Sequence, residues 1–494
     1  MNSAESTVGT SRPEAARYDG VIITMAVGTL LGLILIAQGR TTDKQFTQPM
    51  HSPNDRSRFA TIRALGDNGT YAIGSINQDG SYTPGSILAE PGWDTIDKVL
   101  RPDDGKLYSS KPPLLPTLLA YEYQLIKQIP TLAYSHDEGW KRSGHLTFAE
   151  HPQAVVRIIV ATANWVPFIV FLLLFSRLLD RLACDGWARA SAMAAAGVGT
   201  YLTGFSVTLN NHTIAACASL FAIYPAFLIW CEDRREWWLF AVAGFFAAFT
   251  AVIELPAASL LAALFIGLCW KSPRWALLAF VPLAVIPVAG HFWTNYQALG
   301  SLAPAYDKPE WYDFPGSYWK VHPETGRLCG TKKDPDTGKL VIDLDGVDGQ
   351  YEPWPVYLLH MLLGHHGIFS LSPIFLFSLV GVARTIASGR QRIQAFAVLC
   401  AGLTVVVLLF YLFFAGQRNY GGMCNGLRWL FWLIPLWLMF LPAGLEWKPS
   451  CRWFRLIALI CLVISAASAF YATRNPWTRP WLHQLMNEAG WIKY

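Results

Sequence analysis

From Val21 to Ala472 the chain is divided by recurring runs of about 17–23 residues almost free of charge, each long enough to cross a hydrocarbon core of about 30 Å as a helix. This pattern leaves little room for a soluble fold. Of 494 residues 53% are hydrophobic and 15% are charged, against roughly 25% charged in soluble domains. The runs fall at 20–38, 154–176, 190–208, 212–230, 237–253, 256–270, 275–293, 367–384, 393–415, 428–446 and 454–472. They predict an all-α polytopic membrane protein with about eleven spans. Trp187, Trp237, Trp270, Trp275, Trp293, Trp429 and Trp447 stand at run ends, where an amphipathic ring suits the headgroup level.

Charge sets the expected orientation. With the N-terminal residues 1–19 in the cytoplasm, the cytoplasmic segments carry Arg12 and Arg17; Arg177, Arg181 and Arg189; Arg234 and Arg235; Lys271 and Arg274; Arg384, Arg390 and Arg392; Lys448, Arg452 and Arg455. The short opposite loops near 209–211 and 254–255 carry none, and the 416–427 loop carries Arg418 with Arg428 at its edge. This bias predicts an N-in, C-out multi-pass protein of the cell membrane. The net charge of +5 is accounted for by this loop bias, and no nucleic-acid partner is expected. The first run ends in Gln38-Gly39-Arg40 without a small-residue cleavage site, so it is read as the first span.

Two hydrophilic segments, 39–153 and 294–366, then lie on one outer face, with spans two to seven over 154–293, the last four over 367–472 and a tail at 473–494. Small mixed α/β structure is expected in the loops: a helix over Ser57–Leu65, strands over Gly69–Ile76 and Leu107–Ser110 with a turn at Asp104-Gly105, and an interfacial helix over 112–132. The nine Cys include no CxxC or zinc spacing. Cys329 and Cys424 both fall on the outer side, which leaves a disulfide between them open.

Several short constellations could carry chemistry. Asp55, in Pro53-Asn54-Asp55-Arg56-Ser57-Arg58, is either a general base for a hydroxyl acceptor or a helix N-cap. Lys111, before Pro112-Pro113, is either a phosphate ligand or a snorkelling anchor. Tyr420-Gly421-Gly422 precedes Asn425-Gly426-Leu427-Arg428; Arg428 opens a helix, where dipole and guanidinium together favour an anion, with an ordinary loop and a boundary Arg as the alternative, and Tyr420 is a candidate substrate contact. His365-His366 point about 100° apart on a helix, poor geometry for one metal, and are read as interfacial or substrate contacts. Arg58 is a further candidate contact. Asp343-Leu344-Asp345-Gly346-Val347-Asp348 misses the EF-hand spacing. No metal site is predicted, and cofactors stay unassigned. Arg157, Asn164, Asn210, Asn211, His212 and Glu254 sit in or beside spans, where polar groups face the bundle or a wet cavity; His212 and Glu254 join the candidate substrate contacts, with helix–helix hydrogen bonding as the alternative.

Together these residues resemble the GT-C superfamily of membrane glycosyltransferases, in the branch with protein mannosyltransferases, aminoarabinose transferases and RgtA/B/C/D-like bacterial enzymes. The resemblance lies in Asp55 followed by a short helix and Gly69-Thr70-Tyr71, in Lys111-Pro112-Pro113, in a helix opening with Arg157, and in Tyr420-Gly421-Gly422 leading to Asn425-Gly426-Leu427-Arg428-Trp429-Leu430. Asn425 stands where the family has Tyr and Leu427 where it has Pro. The resemblance implies transfer of a sugar from a polyprenyl-phosphate donor in the bilayer to a lipid, glycan or protein acceptor on the extracytoplasmic face, with inversion. It further implies an acid of the first outer segment as base, here assigned to Asp55 with Asp43, Glu90, Asp94 and Asp97 as rivals, and Lys111 and Arg428 at the phosphate. A transporter or lipid flippase, or an inactive GT-C-like scaffold, is the alternative.

Overall fold

The computed structural model describes residues 12–37, 50–135, 139–344, 352–415 and 418–492. It is a helical bundle with three small sheets at one end. Seven helices are long and apolar enough to cross a membrane: 18–36, 152–182, 211–231, 273–299, 391–413, 428–445 and 452–472. Shorter apolar helices follow at Trp237–Ile253, Leu255–Lys271 and Phe375–Ala387. The run expected at 190–208 is broken, with helices Gly186–Val198 and Tyr201–Phe205 separated at Gly199-Thr200. Large apolar side chains such as Leu35, Ile266, Val405 and Val463 point outward, as lipid-facing helix surfaces require.

Small residues let helices meet closely. Gly381 lies against the Phe440 carbonyl and Gly444 against the Phe377 carbonyl, so any side chain there would collide with backbone of the facing helix. Contact through small residues is the usual means of association where lipid supplies no hydrophobic drive. Asn164 donates to the carbonyls of Ser206 (3.0 Å) and Thr208 (2.7 Å), and Asn210 caps the 211–231 helix through Thr213 N (2.9 Å). For these two, helix–helix bonding and capping account for the polar group.

One end of the bundle is laced by ion pairs between helices and the loop at Asp233: Asp233 with Lys271 (3.1 Å), Arg235 (3.3 Å) and Arg392 (2.5 Å), and Arg189 with Asp19 (2.5 Å) and Asp180 (2.8 Å). At the other end the two hydrophilic segments pack together. Val99 and Tyr108 of the first share a small core with Ala298, Leu299, Trp311 and Tyr312 of the second. Trp319 Nε1 donates to Ile96 O (3.0 Å).

The helix expected over Ser57–Leu65 runs over Pro53–Asn68, stopped by Gly69 at φ 65°, a left-handed cap that glycine adopts at little cost. The expected strands are Ala72–Ser75 and Lys106–Ser109, in a sheet ordered with Lys98–Arg101 at the far edge, and Gly105 makes the turn at φ 64°. The interfacial run is helical only over Leu114–Ile126; strand Pro130–Ser135 replaces its end. One face of that helix packs inward through Leu115, Leu119 and Tyr123, while Leu118, Tyr121 and Leu125 are exposed. Cys424 is a free thiol, so the disulfide left open between it and Cys329 does not form. Asp43 and Asp345-Gly346-Val347-Asp348 lie outside the described residues.

Candidate functional site

Where the two hydrophilic segments meet the bundle lies a cavity of about 890 Å³. Its charged lining comprises Asp97, Lys111, Arg327 and Arg428. Aromatic rings wall it: Tyr306, Tyr312, Tyr318 and Trp319 from the second segment, Tyr411 and Trp429 from the bundle, and Trp477 from the chain beyond the last span. Ser52, Asn54, Ser110 and Asn419 add polar groups.

Lys111 and Arg428, far apart in sequence, thus share one cavity as expected. Lys111 Nζ meets Asp97 Oδ2 at 3.0 Å. Burial draws the Lys111 pKa below the usual lysine value; Asp97 opposes this, and the nearby Arg58 charge adds to it. Asp97 is placed by its backbone: its carbonyl accepts from Ser57 Oγ (2.6 Å) and from Ser110 N (3.2 Å). The helix and the sheet are thereby joined at the acid.

Asp55 is placed differently from the expectation of a base. It is 0% exposed. Oδ1 accepts from Ser52 N (2.8 Å), Ser52 Oγ (3.1 Å) and Arg56 N (2.9 Å), and Oδ2 from His51 N (2.7 Å) and Thr208 Oγ1 (2.7 Å). With Ser52 as N-cap it completes a capping box, and Thr208 ties that helix to the bundle. A carboxylate so enclosed has no lone pair turned to a substrate. The helix-terminus reading holds, with Ser52 rather than Asp55 at the cap position. Of the rival acids among the described residues, Glu90 is held by Arg63 through two bonds of 2.7 Å, Asp94 pairs with Lys98 (2.9 Å), and Asp97 is the one that lines the cavity.

Arg428 is held on three sides. Its Nε (3.2 Å) and Nη2 (2.7 Å) donate to Gly421 O, Nη1 donates to His212 Nε2 (2.6 Å), and Trp477 lies under the guanidinium at 4.9 Å. Gly421 has φ 91°, and a Cβ there would stand 3.1 Å from Arg428 Nε, so the glycine is needed on both counts. Asn425, a departure from the family pattern, has a visible job. Its N donates to Pro476 O (2.9 Å), and its Nδ2 donates to Asn475 O (2.9 Å) and Thr478 Oγ1 (3.0 Å). It pins the chain that brings Trp477 to Arg428.

The remaining expected contacts stand behind the cavity wall. Arg58 is buried and donates to Asn54 O (3.1 Å) and Asn211 Oδ1 (2.6 Å); burial lowers its pKa to about 10, with Asp97 opposing. His212 and Glu254 are buried in contact with each other. Tyr420, at φ 58°, gives its hydroxyl to Glu352. His366 stacks on the Tyr420 ring and His365 meets it edge-on, both with centroids at 4.8 Å, and His366 Nε2 bonds Cys424 O (3.1 Å). They support the Tyr420 loop from beneath and do not line the cavity. Among the described residues no three ligating side chains are arranged to hold a metal.

Sequence reasoning missed His51, Trp477 and the aromatic wall. His51 lines the cavity, and neither ring nitrogen has a hydrogen-bond partner among the described residues; burial lowers its pKa, with Asp55 opposing. No local pattern marks these residues, since each reaches the cavity through a tertiary contact. No protein-family model and no curated protein matches the chain.

Proposed function

We propose that this protein is an integral membrane glycosyltransferase that moves a sugar from a polyprenyl-phosphate donor to a lipid, glycan or protein acceptor on the extracytoplasmic face, with its N-terminus cytoplasmic and about eleven spans. The observation that carries this reading is the single cavity in which Asp97 and Lys111, 3.0 Å apart, face the same space as Arg428 within an aromatic wall. Aromatic faces suit the apolar faces of a sugar ring, and the cations suit a phosphate.

Asp97 replaces Asp55 as the base. The acceptor hydroxyl oxygen attacks the anomeric carbon and its proton passes to the Asp97 carboxylate. The bond from that carbon to the phosphate oxygen breaks, its electron pair leaves with the polyprenyl phosphate, and the configuration inverts. Lys111 and Arg428 stabilise the charge that gathers on the departing phosphate.

The test is transfer from undecaprenyl phosphate carrying a radiolabelled hexose or pentose to membrane lipid and glycan acceptors in proteoliposomes. Asp97→Asn is expected to lower the rate by about 10²–10⁴-fold. Equal rates for wild type and Asp97→Asn remove Asp97 from the role. Movement of donor across sealed vesicles without product replaces the enzyme with a flippase.

A further inference from the structure

Behind the cavity wall one buried carboxylate is linked to two guanidiniums, each through a neutral side chain. Glu254 Oε1 accepts from Asn211 Nδ2 (2.5 Å), and Asn211 Oδ1 accepts from Arg58 Nη2 (2.6 Å). The same Glu254 oxygen faces His212 Nδ1, and His212 Nε2 meets Arg428 Nη1 at 2.6 Å. Glu254, His212 and Arg58 are 6%, 3% and 4% exposed. An arginine has no acceptor, so His212 Nε2 must present its lone pair to Arg428. A neutral ring then carries its proton on Nδ1, the atom that stands against Glu254 Oε1. Carboxylate, imidazole and guanidinium thus lie in contact in that order.

We propose that Glu254 is a positioning residue that, through His212, holds the Arg428 guanidinium aimed at the anionic leaving group, and through Asn211 fixes Arg58 behind it. This rests on the glycosyltransferase reading of the cavity. A direct carboxylate–guanidinium pair would fix Arg428 equally well but would cancel the charge the phosphate needs. An intervening imidazole transmits orientation and leaves the charge available, as outer-sphere partners do for metal-bound histidines. One carboxylate shared between two guanidiniums also leaves the group net positive. Without Glu254, His212 is free to carry its proton on Nε2. That N–H would oppose the Arg428 N–H, and the guanidinium would turn away.

Two measurements on the full chain test this. The first is binding of undecaprenyl monophosphate, without sugar, to protein in nanodiscs, followed by tryptophan fluorescence with Trp477 and Trp429 beside the site. Glu254→Ala is expected to weaken binding by about 10–100-fold. Glu254→Gln, which keeps an acceptor oxygen toward His212, is expected to retain most of it. Equal affinity in wild type and Glu254→Ala overturns the proposal. The second is the ¹⁵N spectrum of histidine-labelled protein in proteoliposomes, with the His212 signals assigned by their loss in His212→Phe. The expected wild-type ring is neutral with its proton on Nδ1. A proton on Nε2 in the wild type overturns the relay even where a variant fails to fold. If the wild type does not bind the lipid phosphate, the glycosyltransferase reading fails; an Nδ1 proton that shifts to Nε2 in Glu254→Ala still upholds the relay.

Discussion

Asp55 and Asp97 belong to the same hydrophilic segment, yet the hydrogen bonds around them assign opposite duties. Five donors converge on Asp55 from Ser52, His51, Arg56 and Thr208, while Asp97 meets one ammonium at the cavity. Asp55→Asn would turn an amide N–H₂ toward backbone donors, and unsatisfied buried donors cost about 1–3 kcal/mol each. Its expected effect is therefore a lowered Tm, with any transfer activity reduced only as far as folded protein is lost. Asp97→Asn is expected to keep the Tm near wild type and lose the reaction. Thermal unfolding and transfer rate measured on both variants separate the roles, and the reverse pattern would return the base to Asp55. The sequence presented both acids, but their difference lies in which atoms approach them. The contact of Asp55 with Thr208 spans 153 positions, and no local pattern encodes it.

At the scale of elements, the Tyr420–Arg428 loop rests on imidazoles drawn from separate parts of the chain. His360 stacks on His365 at 4.1 Å between centroids, His365 lies 5.1 Å from His483, and the Tyr420 ring is stacked on His366. Burial lowers the pKa of His366 to about 3 and of His483 to about 4, with neighbouring imidazoles and Arg479 adding to the effect. His365 is lowered further, by burial first and then by His366. These groups are neutral when folded and take protons readily once unfolded. Between the ordinary histidine value of 6.5 and those depressed values the unfolded chain binds more protons, so stability falls as pH falls through that window. The expected outcome is a Tm that declines from pH 7 to pH 5, with a shallower decline in His483→Gln. A Tm flat across that range would show that the cluster does not remain neutral on folding. The sequence marked His365-His366 and the glycines of this loop as unusual, and it supported a membrane-entry helix from Arg428. It was silent on His360 and His483, because a helix before the pair and one after the last span supply them.

For the whole molecule, the apolar runs and turn residues made the helical architecture legible: each of the seven long apolar helices coincides with an expected span. Runs with Gly or polar breaks were less legible, as the division at Gly199-Thr200 shows. Both hydrophilic segments meet at one cavity, and the loops rich in Arg and Lys gather at the opposite end. This arrangement predicts accessibility. In intact cells a membrane-impermeant thiol reagent should label Asp79→Cys and Glu324→Cys, both at exposed positions of the two segments, while the exposed native Cys451 stays unlabelled until the membrane is opened. Labelling of Cys451 in intact cells with silence at position 79 would invert the orientation.

Trp477 reaches Arg428 on a stretch beyond the 452–472 helix that Asn425 clasps. During synthesis, then, the pocket stays unfinished until the stretch beyond the 452–472 helix has been made and has folded back onto the bundle. A partly made chain would carry its acid, its lysine and its arginine but lack the ring beneath the guanidinium. Order of biogenesis thereby acts as a safeguard: the half-built molecule lacks one wall of its cavity.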